Sequence, residues 1–345
     1  MNGSISLRFE QVTPLFFGRV EELSPTEFVR SYSIPSAYTV GGATMTLLSE
    51  VAKIELEEIE NKVRNREIVI RATYFAAKFG NSWRYFIPAP LSTSHGRIYK
   101  VIVAKGKYSG FCRISGIPSA GIPPISDFKP DGKNWLIEVS FDDEKRRWQI
   151  NTASLAELNP RFSDRTSFEM ERVKRTVKAP SLYFRELVEG YEIYSFSYGK
   201  TRDTRVACDI LLPTDLKERL RMVESRLIRF GGESGLVRAH ISDETPLNSL
   251  CRKGVEKDEI YLAISHIPII RKGDKFSVLG FGRADWIFGR VELMGGWLMR
   301  EEKPKDMISV LSPGSLFKIS SVDESYDGEW YLKLLSTAVS LKGVE

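Results

Sequence analysis

The sequence contains little cysteine and little histidine. Its 345 residues include three cysteines, Cys112, Cys208 and Cys251, and no two of them form a C-x-x-C pair. An odd number of widely spaced cysteines argues against a disulfide framework and against a zinc site built on cysteine pairs. The same usage is typical of a reducing compartment, so we expect the protein to be cytoplasmic.

Long hydrophobic runs are also missing. The most apolar stretch, residues 261–270, is interrupted by Ser265, His266 and Pro268 and is too short to span a bilayer. The first ten residues alternate polar and apolar side chains, without the basic segment and apolar core of a signal peptide. We therefore expect a soluble protein without a membrane partner.

The charge balance is modest, with 50 Lys and Arg against 45 Asp and Glu and a net charge of +5. Such an excess does not by itself point to nucleic acid, so the distribution of the charges must decide. At about 150 residues per domain the length predicts two domains. We place the first at residues 1–189 and the second at residues 190–345.

The first half of the chain begins with a strand pattern, in which Ile5, Leu7 and Phe9 alternate with polar residues. A helix is predicted next, with Thr39 as its N-cap and Gly41-Gly42 in its first turn. Further strands are predicted at residues 67–75, 84–87, 97–103, 135–141 and 148–151.

The second half repeats this order. A helix is predicted from an N-cap at Thr214 or Asp215 through Phe230, where Gly231-Gly232 ends it. Strands are predicted at residues 191–198, 205–212, 236–241, 259–264, 275–279, 286–293, 316–319 and 330–335. A helix laid across an antiparallel sheet belongs to the α+β class, and we predict two ferredoxin-like (RRM-like) βαββαβ domains with insertions.

Two short motifs resemble nucleotide-binding loops but lack a required residue. Gly199-Lys200-Thr201 ends like a P-loop, yet Tyr194 stands where the first glycine of that loop belongs. The stretch from Gly280 to Asp285 begins as G-x-G-x-x-G, but Asp285 would place a carboxylate against a pyrophosphate. Neither motif supports nucleotide binding.

Residues for catalysis are few. His240 shares the polar face of its predicted strand with Arg238, and His266 precedes an Ile-Pro turn, which favours solvated or structural roles. His95, in a predicted loop, is the one histidine that we would test as an acid or base. Asp142-Asp143 lies in a charged run typical of a solvated turn. No nucleophile, base and orienting group come together, so we predict that the protein is not an enzyme.

A glycine-rich stretch in the second half alternates arginines with aromatic residues. Glycines let a backbone approach phosphates closely, arginines bind phosphates in a bidentate manner, and aromatic rings stack on unpaired bases. A tight structural turn with core aromatics is the alternative. The RNA-binding residues predicted here are Gly280, Gly282, Arg283 and Arg290.

Positive charge is concentrated in residues 161–185, which contain seven basic and three acidic residues, a local excess of +4. A solvated charged surface is the alternative to RNA binding. The residues predicted to bind RNA in this segment are Arg161, Arg165, Arg172, Lys174 and Arg175.

The start of the first predicted helix is a third candidate site. Gly41 and Gly42 would present free N–H groups and the positive end of the helix dipole to an anion, with Arg30 just upstream. The alternative is a helix that needs glycine there for packing.

Taken in order, these motifs resemble the RAMP superfamily of CRISPR systems. The likeness spans nearly the whole chain and is strongest to the 5′-handle-binding subunit of the type III-B Cmr effector complex, with the type III-A and III-D equivalents as close relatives. The motifs that carry it are Thr39-Val40-Gly41-Gly42-Ala43, Asp164-Arg165-Thr166, Ser181-Leu182-Tyr183, Phe230-Gly231-Gly232-Glu233, Gly280-Phe281-Gly282-Arg283, Gly295-Gly296-Trp297, Pro304-Lys305 and Ser312-Pro313-Gly314-Ser315.

The resemblance implies a non-catalytic scaffold subunit that caps the 5′ handle of the crRNA and needs no cofactor. It implies two ferredoxin-like domains facing each other across a cleft, and a protruding β-hairpin, which we assign to residues 161–185. The neighbouring subunits would be the large polymerase-like CRISPR subunit and the backbone RAMP subunits.

Two other functions are open at this point. A metal-independent crRNA-processing endonuclease of the same superfamily would use His95 as its acid or base. An assembly subunit without RNA contact would have little use for a basic cluster beside glycine loops rich in aromatic residues.

Overall fold

The computed structural model has an α+β fold, as the sequence predicts, and most of its regular structure is antiparallel strand. No helix among the described residues is long and apolar enough to cross a membrane. The structure describes residues 2–17, 28–29, 34–104, 107–113, 131–171, 176–231, 235–251, 254–272, 275–295, 297–298, 303–304, 306–323, 330–335 and 337–342.

The elements are as follows in chain order. The helices are α1 (Ala37–Ala52), α2 (Leu56–Arg64), α3 (Thr214–Arg221) and α4 (Pro246–Leu250), with a 3-10 helix at Trp330–Leu334. The strands up to α3 are β1 (Asn2–Gln11), β2 (Phe28–Val29), β3 (Val69–Phe79), β4 (Ser82–Pro88), β5 (Thr93–Ser94), β6 (Arg97–Ala104), β7 (Lys107–Arg113), β8 (Asn134–Asp142), β9 (Arg147–Glu171), β10 (Thr176–Ser195), β11 (Gly199–Thr201) and β12 (Thr204–Pro213). The later strands are β13 (Ser225–Arg229), β14 (Leu236–Ser242), β15 (Ile260–Ala263), β16 (Ile267–Lys272), β17 (Lys275–Val278), β18 (Gly282–Phe288), β19 (Val291–Met294), β20 (Trp297–Leu298), β21 (Lys303–Pro304), β22 (Ile308–Leu311), β23 (Leu316–Val322) and β24 (Ala338–Ser340).

The first sheet has the strand order β11-β10-β9-β8-β4-β3-β12-β1-β14-β13, and β2 pairs in parallel with β10. Helices α1, α2 and α3 pack on one face of it, over alternate residues such as Phe9, Phe75 and Val206. The predicted domain boundary after residue 189 falls inside β10, and the sheet takes strands from both sides of that boundary.

The second sheet has the strand order β19-β22-β16-β17-β18-β23-β15-β24. A separate hydrophobic cluster joins it to the helix-free face of the first sheet. That cluster contains Tyr74 and Tyr85 from the first sheet, and Leu262 and Leu316 from the second. The two sheets therefore share a core that covers the middle of the helix-free face.

The α+β class is confirmed, and most predicted strands are present, although β9 and β10 are longer than predicted. The first sheet has 11 strands, whereas a single βαββαβ unit has four, so the sheet by itself does not identify a ferredoxin-like unit. The division into two ferredoxin-like domains stays a prediction. Helix α2, with Ile59 and Val63 buried, was not predicted.

The second predicted helix is wrong in extent. Helix α3 ends at Arg221, and residues 225–229 form β13, paired with β14. Within this strand Ile228 is buried and Leu227 is exposed, which is an alternation of period two. The apolar residues fit both a helical and a strand period, and pairing with β14 decided between them.

Two predictions near the C-terminal end of the chain are also wrong in detail. The predicted strand at residues 286–293 is two strands, β18 and β19. The predicted strand at residues 330–335 is mostly a 3-10 helix, and its Tyr331 ring packs edge-on against Tyr38 of α1 at 5.8 Å. Docking on a helix explains why this segment does not join a sheet.

Candidate functional site

The basic segment of the sequence forms a long antiparallel hairpin from β9 and β10. Strand β8 pairs with β9 only as far as Leu158, so from there to Glu171 the β9 arm pairs with β10 alone among the described residues. These 13 residues span about 40 Å at roughly 3.3 Å per residue. On the β9 side the hairpin therefore extends beyond its neighbouring strand, whereas on the β10 side Leu15 bridges to Val188 and β2 pairs as far as Phe184. Beyond Phe184 and Thr166 no further strand of the described residues flanks it, as the assignment of a protruding hairpin to residues 161–185 requires.

Two of the predicted RNA-binding arginines lie on the β9 arm. Arg161 is exposed and pairs with Gly190, whose φ is +150°. A Cβ on Gly190 would come within 2.7 Å of the Arg161 Nη2 atom, so the glycine makes room for the guanidinium group. Arg165 pairs with Arg185 across the hairpin, which places two cationic residues at one register position. Arg172, Lys174 and Arg175 lie outside the described residues.

The glycine-rich stretch contains the turn between β17 and β18. Gly280 and Gly282 have φ values of +81° and +125°, which glycine adopts readily. A Cβ on Gly282 would lie 2.1 Å from the Ser321 carbonyl oxygen, and Phe281 is buried against Tyr261. Close packing on β23 and a tight turn thus account for both glycines, and their predicted RNA contact stays a prediction.

Both predicted arginines of this stretch point to solvent. Arg283 follows Gly282 on β18 and is exposed. Arg290, between β18 and β19, is also exposed, and its Nη1 atom lies 3.9 Å from a Glu292 carboxylate oxygen. Arg283 and Arg290 lie on or beside strands of the second sheet, whereas Arg161 and Arg165 lie on a strand of the first sheet. The four predicted arginines are therefore divided between two sheets.

The predicted anion site at the start of α1 is wrong in position. Helix α1 begins at Ala37, and its N-cap is Ser36, whose hydroxyl accepts a hydrogen bond from the Thr39 N–H at 3.2 Å. The Val40 N–H already donates to the Ser36 carbonyl, so Gly41 and Gly42 lie inside the helix. A Cβ on Gly41 would lie 3.0 Å from the Leu334 methyl carbons, which is a structural reason for the glycine, and the predicted RNA contact of Gly41 and Gly42 stays a prediction. Arg30 lies outside the described residues.

A second group of cationic and aromatic residues, which the sequence analysis did not identify, lies on the helix-free face of the first sheet. Directly paired residues of an antiparallel sheet lie on the same face. The pairs Lys78–Trp83, Phe141–Trp148 and Leu227–Arg238 alternate with residues that pack under the helices. We call this region the open sheet face, and it consists of Val12, Lys78, Trp83, Phe141, Trp148, Arg205, Leu227, Arg229 and Arg238.

Two guanidinium groups hold Trp83 in place at the centre of the open sheet face. The Cζ atoms of Arg205 and Arg8 lie 4.7 Å and 5.2 Å from the ring centroid. The Arg8 side chain is only 7% exposed, and its Nη2 atom donates to the Tyr85 hydroxyl at 2.5 Å and to Glu244 at 2.6 Å. Cation–π contacts of this kind contribute about 0.5–2 kcal/mol each. They fix the indole ring before any ligand arrives.

Trp148 and Phe141 continue the aromatic surface at the β8–β9 turn. The Trp148 ring meets the Tyr85 ring edge-on at 5.3 Å and the Phe141 ring at 5.5 Å. Tyr85 is buried, which raises the pKa of its hydroxyl, and its hydroxyl donates to Glu244. Phe141 is 47% exposed, so one side of this aromatic row contacts solvent.

Cationic residues border the aromatic row toward β13. Arg238 and Arg229 are exposed and make no ion pair with a described residue. Leu227 pairs with Arg238, lies two residues before Arg229 on β13, and is 50% exposed. The acidic neighbour Glu10 is already engaged: His240 Nε2 lies 2.5 Å from its carboxylate and Arg205 Nη2 lies 3.4 Å away. These contacts hold the pKa of Glu10 below its usual value, His240 contributing most. The open sheet face is thus cationic and aromatic together.

The histidines show no catalytic arrangement among the described residues. His95 is exposed at the β5–β6 turn with φ +49°, and its backbone N–H donates to Asp131 at 2.6 Å. His240 is paired with Glu10, and His266 is buried beside Glu292. No group of three His, Cys, Asp or Glu residues that could hold a metal occurs in the described part of the chain.

Comparisons with known proteins give structural neighbours. No family model and no curated protein matches the sequence. Similar solved structures include a chain of the type III-B Cmr-beta complex bound to cognate target RNA and AMPPnP, with 15% identity, 91% of this chain and 86% of the other covered, and a TM-score of 0.46. Another is a chain of the Csm3-Csm4 subcomplex of the type III-A CRISPR-Cas interference complex, with 12% identity, 94% and 95% coverage, and a TM-score of 0.41. A chain of the Csm1-Csm4 cassette in complex with cA4 is similar at 12% identity, 94% and 89% coverage, and a TM-score of 0.32.

Proposed function

We propose that this chain is a non-catalytic RNA-binding scaffold subunit of a type III CRISPR effector complex, and that it caps the 5′ handle of the crRNA. In this role it contacts the large polymerase-like subunit and the backbone RAMP subunits. The order of the sequence motifs supports the assignment to this superfamily. The observation that carries the RNA-binding role is that strands β9 and β10, which contain most of the basic segment at residues 161–185, pair over a long distance as an antiparallel hairpin.

The charge and the length of the hairpin both support RNA binding. A hairpin arm of about 40 Å with arginines at Arg161 and Arg165 can follow several phosphates of an RNA strand. Neutralising phosphates releases counterions, so affinity must fall as salt rises. An assembly subunit without RNA contact would gain nothing from such a charged arm, since partner proteins would have to desolvate it.

The test is a titration of 5′-handle RNA with the full chain at several salt concentrations. We expect log affinity to fall linearly with log salt, with a slope of about −0.7 for each single-strand phosphate contact. The double variant Arg161→Gln/Arg165→Gln should weaken binding and reduce the slope by about 1.4.

A matched control is Arg226→Gln. Arg226 is also exposed and cationic, but it lies on the helix side of the first sheet beside Glu50. This variant should bind RNA like the unmodified protein. A salt-independent affinity, or equal losses in the control and the hairpin variants, would contradict the proposal.

A further inference from the structure

We propose that the open sheet face binds unpaired nucleotides of an RNA strand, with bases stacked on Phe141 and the Trp148 ring and phosphates held by Arg238 and Arg229. This inference deepens the RNA-binding proposal and rests on it. It concerns a different surface, because none of these residues belongs to the β9–β10 arm beyond Leu158 or to the glycine turn.

The face has the two components that single-stranded RNA requires. Exposed or half-exposed rings offer stacking surfaces, and each base has a π face that can use them regardless of sequence. Arg229 lies at the border without an ion pair to a described residue. Arg238 is exposed opposite Glu10, whose carboxylate is already bound by His240 and Arg205, so both guanidinium groups can bind phosphates. Duplex RNA cannot use the rings, because its bases are already stacked.

The rings are held in place before binding. Trp83 is fixed by Arg205 and Arg8, and Trp148 is fixed edge-on between Tyr85 and Phe141. A fixed ring loses little conformational entropy when a base stacks on it. The second sheet covers the middle of the helix-free face through Leu262 and Leu316, and it leaves Phe141 and Leu227 exposed at this end.

Charge favours RNA over a protein partner on this face. An apolar protein surface docked on Leu227 and Val12 would also bury Arg229, which has no ion pair with a described residue, and Arg238, which shares its cross-strand neighbour Glu10 with His240 and Arg205; this burial is costly. An RNA strand brings its own negative charge to the same positions. The open sheet face therefore fits RNA better than a hydrophobic protein surface.

Phe141 provides the most discriminating substitutions, because it is exposed and its loss should not unfold the protein. Phe141→Leu keeps an apolar side chain but removes the ring, whereas Phe141→Tyr keeps the ring. The probe is a single-stranded RNA oligonucleotide containing 2-aminopurine, whose fluorescence is quenched by stacking, together with the same oligonucleotide annealed to its complement.

We expect the full chain to bind the single strand more tightly than the duplex and to change the 2-aminopurine signal. Phe141→Leu should lose roughly 5- to 100-fold in affinity, and Phe141→Tyr should bind normally. Trp148→Leu should show the same loss, with thermal unfolding measured as a check of folding. Arg238→Gln should reduce the slope of log affinity against log salt by about 0.7.

Three outcomes would overturn the inference. If Phe141→Leu binds RNA like the unmodified protein while the hairpin variants lose affinity, the RNA-binding function stands and this site fails. Equal binding of duplex and single strand would also reject stacking. If Phe141→Leu instead loses copurifying subunits and keeps its RNA affinity, the face is a protein interface.

Discussion

Asp209 on β12 should make the stability of this protein fall as the pH rises from 5 to 8. Its carboxyl group is completely buried, and burial raises its pKa from 3.8 to about 7. It accepts hydrogen bonds from the Tyr74 hydroxyl at 2.8 Å and from the Asn248 N–H at 2.9 Å, which limit the rise. Asn248 belongs to α4, so the carboxyl group links the first sheet to the segment that leads to the second sheet.

The sign follows from proton linkage. Because the folded pKa exceeds the unfolded one, the protonated carboxyl stabilises the fold fully below about pH 4, and this contribution disappears as the pH rises through about 7. With these two pKa values the contribution falls by about 3 kcal/mol between pH 5 and pH 8. The neighbouring Tyr74 and Cys251 have pKa values raised by burial, so they do not titrate in this interval.

The experiment compares Asp209→Asn with the unmodified chain by urea unfolding at pH 5 and pH 8. Asparagine cannot ionise, so the difference in free energy of unfolding between the two proteins should change by about 3 kcal/mol in favour of the variant as the pH rises. All other side chains are the same in both proteins, so their contributions cancel in the difference. Asp142→Asn is the control: the Lys145 backbone N–H holds the pKa of the Asp142 carboxyl below its usual value, so this group stays ionised and the difference should not change between pH 5 and pH 8.

A difference between Asp209→Asn and the unmodified chain that is the same at pH 5 and pH 8 would refute the reasoning. In that case the carboxyl group would be ionised in the folded protein throughout, and its hydrogen bonds would outweigh its burial.

Two further predictions concern glycine and histidine. Gly282→Ala should lower the free energy of unfolding by about 1–3 kcal/mol, because φ is +125° and the new methyl would meet the Ser321 carbonyl oxygen. Gly42→Ala should instead raise the free energy of unfolding by about 0.5–1 kcal/mol, since Gly42 lies inside α1 with no neighbouring atom within 4 Å of the added Cβ. Thermal unfolding of the two variants should therefore show a lower midpoint for Gly282→Ala and a higher midpoint for Gly42→Ala. Repeat RNA incubated with the protein and EDTA should remain intact, and His95→Ala should behave identically; cleavage that depends on His95 would mean that the chain is a nuclease.

Much of the local structure could be predicted from the sequence. Alternation in residues 5–9 predicts β1, and the polar and apolar faces of residues 236–241 predict that Arg238 points away from the core. Both are local properties, because a strand repeats every two residues whatever it pairs with. The sequence also shows that residues 161–185 are basic, and the pairing of β9 with β10 places Arg165 opposite Arg185.

The remaining elements depended on distant partners. Leu227 and Ile228 fit the apolar stripe of a helix, and only β14 beside them makes the segment a strand. The extent of α1 depended on Ser36, which caps the helix three residues earlier than predicted, so that Gly41 lies inside the helix and close to Leu334.

By itself the sequence determined the class of the protein, its charge distribution and the motifs that resemble one superfamily, since these depend on composition and on short spacings. Only the tertiary structure decided that Arg8 and Arg205 meet Trp83. These residues come from three strands, β1, β12 and β4, and the strand order β4-β3-β12-β1 places them on one face of the sheet. Strand order is set by burial and backbone pairing over the whole sheet, which no local pattern encodes.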